Sequence, residues 1–171
     1  SALQLDALDA IQTPEAAACD VVYLDPPYNQ HAYLSNYHIW ETLVRWDRPE
    51  VYGAACKRLD CRTRKSVFNT RAGALGAMAR LIDSIAAPVL VASFNDEGYI
   101  SRAQMESMLE RRGRVEVVAS DFKRYVGAQI GIHNPRGEKV GQVSHLRNTE
   151  FLFVAVQSTQ RARRSPLAAS A

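Results

Sequence analysis

The sequence predicts an α/β fold with a mostly parallel sheet whose last strand returns antiparallel. Two patterns carry that expectation. Short apolar runs recur along the chain, separated by segments with apolar residues at helical spacing. The first strong run, Val21-Val22-Tyr23-Leu24, also ends directly on an acid, Asp25, followed by Pro26, Pro27 and Tyr28. That puts a polar site at the carboxyl end of a strand, the general location of sites in open α/β sheets.

Element by element, Ser1-Ala2-Leu3-Gln4-Leu5-Asp6 reads as the end of a strand, with a short helical connection after it. Asp20 to Leu24 reads as a buried strand. Asn36 is placed to cap a helix carrying Ile39, Trp40, Leu43, Val44 and Trp46 on its apolar face, which Pro49 stops. A basic, irregular stretch runs to about Asn69. Leu75, Met78, Leu81, Ile82 and Ile85 share one side of the next helix. Pro88 starts the strand Val89 to Phe94. Ser101 and Gln104 form a capping box for a helix with Met105, Met108 and Leu109, which Gly113 ends. Val115, Val117 and Val118 mark a third strand and Phe151 to Val156 a fourth. The alternation of strands and helices predicts that the first three strands run parallel, joined by right-handed crossovers.

A chain of 171 residues is long enough for one domain with a core. We expect that domain over residues 1–156 and a disordered basic tail over residues 157–171. No apolar stretch reaches the length of a membrane span, and no signal-peptide pattern opens the chain. The odd number of cysteines, Cys19, Cys56 and Cys61, predicts free thiols and a cytoplasmic location. They form no close metal-ligand pair, so no metal is expected.

The net charge is only +3, but it is unevenly spread. Lys57, Arg58, Arg62, Arg64, Lys65 and Arg71 face only Asp60 locally, and Lys123, Arg124, Arg136, Lys139 and Arg147 form a second group. Such groups read as solvated surface or, beside a base-binding pocket, as phosphate contacts. The segment from Lys123 to Asn148 reads as a nucleic-acid-facing loop or as simple hairpin structure.

The tetrapeptide Asp25-Pro26-Pro27-Tyr28 carries the chemistry. An acid, two backbone-fixing prolines and an aromatic ring suit a flat base with an exocyclic amine. Asp25 and the Pro26 carbonyl can accept hydrogen bonds from the amine, and Tyr28 offers a stacking face. At this point the chain resembles the S-adenosylmethionine-dependent amino-methyltransferases, in particular the DNA adenine-N6 methylases. The likeness continues through Asn29-Gln30-His31-Ala32-Tyr33-Leu34-Ser35-Asn36-Tyr37-His38 and through Asn148-Thr149-Glu150-Phe151-Leu152-Phe153.

The resemblance implies the second half of a Rossmann-like methyltransferase fold and methyl transfer to the N6 amine of a flipped adenine. It implies S-adenosylmethionine as cofactor, held in part by Asp6 and Asp25, and double-stranded DNA as partner. A helix cap is the other reading of Asp6. Asn29, Tyr33 and Asn95 join Tyr28 as candidates for the base pocket, with a polar turn as the alternative for Asn95. Lys57, Arg58, Arg62, Arg64, Lys65, Lys123, Arg124, Arg136 and Lys139 are the candidate DNA contacts. The family's glycine-rich cofactor loop and target-recognition domain match nothing here, so both are expected upstream of Ser1. A non-catalytic DNA-binding remnant, a subunit of a split enzyme and an RNA adenine methyltransferase are the competing readings.

Overall fold

The computed structural model describes residues 2–123, 132–133, 138–141 and 147–158. From the amino end, the single-turn helices α1 (Ala7–Ala10) and α2 (Pro14–Ala17) lead into β1 (Val21–Leu24). Helices α3 (Tyr33–Asn36) and α4 (His38–Arg45) follow. The basic stretch holds a short ladder of β2 (Val51–Tyr52) with β3 (Lys57–Arg58), then 3-10 turns at Leu59–Arg62 and Val67–Asn69. Next come α5 (Ala74–Ser84), β4 (Val89–Asn95), α6 (Arg102–Glu110) and β5 (Gly113–Lys123). The short strands β6 (Ile132–His133) and β7 (Lys139–Gly141) pair with each other before β8 (Arg147–Gln157).

The main sheet has the order β1-β4-β8-β5. β1 and β4 pair in parallel, and β8 lies antiparallel between β4 and β5. Strands β1, β4 and β5 therefore run the same way and the last strand runs against them, as the sequence predicts. The sequence pattern does not reveal that β8 inserts between β4 and β5. This is a partial Rossmann-like sheet.

One face of the sheet carries the core. Leu90, Ala92 and Phe94 of β4 and Phe153 and Ala155 of β8 are buried against Ala77, Met78, Leu81 and Ile82 of α5 and Met105 and Leu109 of α6. The strand period of two sends the alternate residues to the other face. There Val21 and Tyr23, then Leu152, Val156 and Val118, are exposed, with Val89, Val91 and Val154 half-buried between them. The register aligns these positions across all four strands. A doubly wound sheet has both faces covered; among the described residues only one is.

Helix α6 begins with the expected capping box: Gln104 N donates to Ser101 Oγ, and Ser101 N donates to Gln104 Oε1. The chain reverses at Gly113, where φ is +156° and an added Cβ would lie 2.2 Å from the Val156 carbonyl oxygen. Just before it, the buried Arg112 guanidinium donates to the carbonyls of Ile82 at 2.9 Å and of Ile85 and Ala87 at 2.6 Å. Those carbonyls end α5 and lead into β4. The side chain thereby satisfies helix-end acceptors and places a positive charge at the negative end of the helix dipole.

Several expectations are corrected. Residues 2–6 form no strand, and Leu3 and Leu5 are exposed. The buried face of α5 uses Ala74 where Leu75 was expected, because Ala74, Ala77, Met78, Leu81 and Ile82 follow the helical repeat. Strands β5 and β8 are longer than their apolar runs. Their ladder continues through polar pairs such as Asp121 with Thr149, beyond the end of β4. Asn36 ends α3 and does not cap α4, which stops at a left-handed Trp46 before Pro49.

Helix α4 also attaches by its polar side. Its buried residue is His38, and Thr42 accepts a hydrogen bond from Arg58. Ile39, Trp40, Leu43, Val44 and Trp46 point outward, Val44 and Trp46 more than 80 % exposed (85 % and 84 %). No described helix is long and apolar enough to cross a membrane.

Candidate active site

Parallel pairing builds the site. Leu24 is paired with Ala92, so the next residue of each strand, Asp25 and Ser93, emerge side by side. Ser93 Oγ donates to Asp25 Oδ1 at 3.0 Å, and the Tyr28 hydroxyl donates to the same oxygen at 3.0 Å. The Tyr23 hydroxyl in turn donates to Ser93 Oγ at 3.0 Å. One carboxylate oxygen of Asp25 is thus held by two hydroxyls on two different segments. The carboxyl group lies exposed at the strand end.

Tyr28 is half-buried. Its ring meets Phe94 edge-on, with centroids 5.0 Å apart, and its carbonyl accepts from Tyr99 N at 2.8 Å. Burial, the largest cause, pushes its phenol well above the ordinary range; the neighbouring Ser93 hydroxyl opposes this, and the Asp25 charge adds to it. Tyr28 therefore remains a protonated donor at physiological pH.

The segment after the tetrapeptide is tied down locally. Asn29 Oδ1 accepts from His31 N at 3.0 Å, so this side chain closes a turn. The Asn69 amide donates to the carbonyls of Asn29 at 2.8 Å and His31 at 3.4 Å, and Tyr99 OH donates to Gln30 Oε1. Asn69 and Tyr99 escaped the sequence reading because they lie far from the motif in sequence, and their polar neighbours carry no distinctive spacing.

A cleft of about 520 Å³ opens beside the motif, lined among others by Leu5, Asp6, Leu24, Asp25, Pro26, Pro27, Tyr33 and Phe68. That volume suits a small organic ligand. Asp6, Asp25 and Tyr33 thus meet in one place. Asp6 forms the helix cap, its Oδ1 accepting from Leu8 N at 2.9 Å, and the residue also lines the cleft. Tyr33 is exposed and stacks on Tyr37 at 6.2 Å. Burial, and then the Asp25 charge, raise its phenol. Asn95 does not line the cleft. It is buried, its Oδ1 accepts from Glu97 N, and its side chain also bonds Glu150, so it realises the polar-turn alternative.

The basic groups divide. Arg58 is corrected: it is buried, its guanidinium bidentate to Asp47 and also bonded to Asp60, so it ties α4 to the β2–β3 ladder instead of facing solvent. Arg64 bonds Glu41 at 3.0 Å, and Arg62 lies over the Tyr52 ring at 4.1 Å. Lys65 and Lys123 are exposed and Lys57 is half-buried. Arg124, Arg136 and the Lys139 side chain lie outside the described residues, as do residues 159–171 of the expected tail, whose first residue, Gln157, instead ends β8. Cys19 and Cys56 are exposed thiols and Cys61 a buried one.

Phe94 connects Tyr28 to the turn that follows β4. A Cβ on Gly98 would come within 2.2 Å of the Phe94 ring. The backbone there is not left-handed, so any cost of Gly98→Ala comes from that ring alone. The expected loss is about 1–3 kcal/mol, read as a lowered unfolding midpoint. An unchanged midpoint would show that the ring moves freely.

A partial Rossmann-like sheet with an acid at the carboxyl end of its first strand belongs among the α/β proteins that act on ligands at that end. Comparison with known proteins narrows the class. Residues 4–108 match the D12 class N6 adenine-specific DNA methyltransferase family, and the chain belongs to that family. It is 29 % identical over 169 residues to the modification methylase StsI of Streptococcus sanguinis, covering 93 % of this chain and 26 % of the relative. It is 33 % identical over 108 residues to the type II methyltransferase M.FokI of Planomicrobium okeanokoites, covering 63 % of this chain and 16 % of that protein. With the type II methyltransferase M.NlaIII of Neisseria lactamica the identity is 24 % over 143 residues, 84 % of this chain and 42 % of the relative. The chain therefore spans less than half the length of each. No solved structure matches it at a significant level.

Proposed function

We propose that this chain is the catalytic half of a site-specific DNA adenine-N6 methyltransferase of a restriction-modification system, with S-adenosylmethionine as methyl donor. The observation that carries the reading is Asp25: a strand-end carboxylate with one oxygen held by hydroxyls, on a cleft of ligand size. When bound, the cofactor supplies an activated methyl group. The cleft fits it in kind: Asp6 and Asp25 offer acceptors for hydroxyl and amino groups, and Leu5, Leu24 and Phe68 offer apolar surface for a ring.

An exocyclic adenine nitrogen is a weak nucleophile because its lone pair is delocalised into the ring. Asp25 and the Pro26 carbonyl accept its two hydrogens, which favours a tetrahedral nitrogen with a localised lone pair. The amine becomes strongly acidic only after the methyl has arrived, so positioning and electrostatics dominate. Tyr28 and Tyr33 provide ring surface for a base turned out of the duplex. Lys57, Arg62, Lys65 and Lys123 are the phosphate-contact candidates among the described residues. The rest of the enzyme, bearing the cofactor loop and target-recognition domain, covers the open face of the sheet and the outward side of α4. The exposure of those apolar surfaces in this chain supports this placement.

The test uses the protein at its natural length, incubated with S-adenosylmethionine and either duplex DNA or RNA, followed by nucleoside analysis. N6-methyladenine in the DNA is expected. Methylation confined to RNA would move the substrate, and no methylated base in either would leave a non-catalytic protein.

A further inference from the structure

The site holds Asp25 with more than the tetrapeptide. Along β4 the residues facing the open side of the sheet are Val89, Val91 and then Ser93, the first hydroxyl on an apolar row. It occurs level with Asp25, where the parallel register sets the two side by side. Ser93 Oγ donates its one proton to Asp25 Oδ1 and accepts from Tyr23 OH, both at 3.0 Å. A hydroxyl has one proton to give and a carboxylate can only accept, so Ser93 donates to Asp25 and takes the Tyr23 proton on its own oxygen. With Tyr28 donating to the same oxygen, Oδ1 takes both donors, and Oδ2 is the oxygen this network does not use.

We propose that Ser93 is a positioning residue for the methyl-transfer reaction, oriented by Tyr23, and that the relay Tyr23–Ser93–Asp25 presents Asp25 Oδ2 to the amine. The proposal rests on the reading of Asp25 as the amine acceptor. Its physical basis is the cost of a loose carboxylate: a free χ2 rotation interchanges the two oxygens and swings the acceptor off the amine, whereas two donors on one oxygen lock the plane. Tyr23 also lines the cleft, but its hydroxyl reaches Asp25 through Ser93, so on kcat the two residues work in series.

The experiment measures steady-state kinetics of the protein at its natural length for Ser93→Ala, Ser93→Thr, Tyr23→Phe and the double variant Tyr23→Phe/Ser93→Ala, with Asp25→Ala alongside. Ser93→Ala should lower kcat roughly tenfold, with KM for DNA and for cofactor unchanged and an unfolding midpoint near that of the parent. Ser93→Thr should recover most of the loss. Tyr23→Phe should cost less than Ser93→Ala, and the double variant should be no slower than Ser93→Ala. Asp25→Ala inactive with Ser93→Ala at full kcat would overturn the relay while sparing the functional reading. So would a loss in Ser93→Ala that appears only in KM, or additive effects in the double variant. Transfer retained in Asp25→Ala would sink the functional reading itself.

Discussion

Asp25→Ala is expected to lower the rate of methyl transfer by about 10³-fold or more while leaving DNA affinity close to that of the parent. The carboxylate is exposed at a strand end and its two donors, Ser93 and Tyr28, retain other contacts, so its removal strands no buried charge. Folding should therefore be largely preserved. The loss belongs to the transition state, where the amine hydrogens become more acidic as the nitrogen gives up its lone pair. An acceptor matters most at that moment, so kcat should fall and KM should not rise. Asp25→Asn is the sharper variant. It keeps the size and one acceptor oxygen but removes the charge, and should fall between the parent and alanine. Radiolabelled methyl incorporation into duplex DNA, with binding measured separately on the same oligonucleotide, distinguishes these outcomes. Parent-like transfer by Asp25→Ala is the result that would remove Asp25 from the mechanism.

The local signals were legible because their physics is local. A strand that ends on Asp-Pro-Pro-Tyr and a Ser-x-x-Gln capping box act over a few residues and stand where the sequence places them, and the apolar period of α5 holds apart from Ala74 in place of Leu75. What escaped depends on pairing between distant segments. Strand β8 lies between β4 and β5, and no periodicity in Phe151 to Val156 encodes that neighbour choice. Ser93 reads as an ordinary turn-proximal serine until the register with β1 puts it beside Asp25. Arg58 reads as one more member of a basic run. Only the fold reveals that Asp47 and Asp60 converge on it and withdraw it from any surface role. The apolar stripe of α4 was read correctly as a stripe, but its direction depends on what lies around it. In this chain the polar side of α4, through Thr42 and His38, makes the attachment.

Arg112→Met is expected to destabilise the chain by about 3 kcal/mol, a drop of roughly 10 °C in unfolding midpoint for a domain of this size. Sequence alone gives Arg112 no prominence: it follows Arg111 at the end of a helix, where a pair of arginines usually reads as solvated surface. The fold buries it, with 5 % of its surface exposed, and aims its fork at three carbonyls from the end of α5 and the entry to β4. Methionine matches its length and apolar stem but leaves those acceptors without these donors in a site closed to water. It also removes a positive charge from the carboxyl end of α5. Arg112→Lys keeps the charge but cannot reach three acceptors in one plane, so it should recover only part of the loss. Urea unfolding of the three proteins orders them parent, lysine, methionine. Equal midpoints for parent and methionine variants would mean that the carbonyls find other donors. Because α5 packs against β4, the strand that carries Ser93, the same variant should lose transfer activity on warming before the parent does, with kcat unchanged well below its midpoint. A kcat already reduced in the cold would instead make Arg112 part of the geometry of the site.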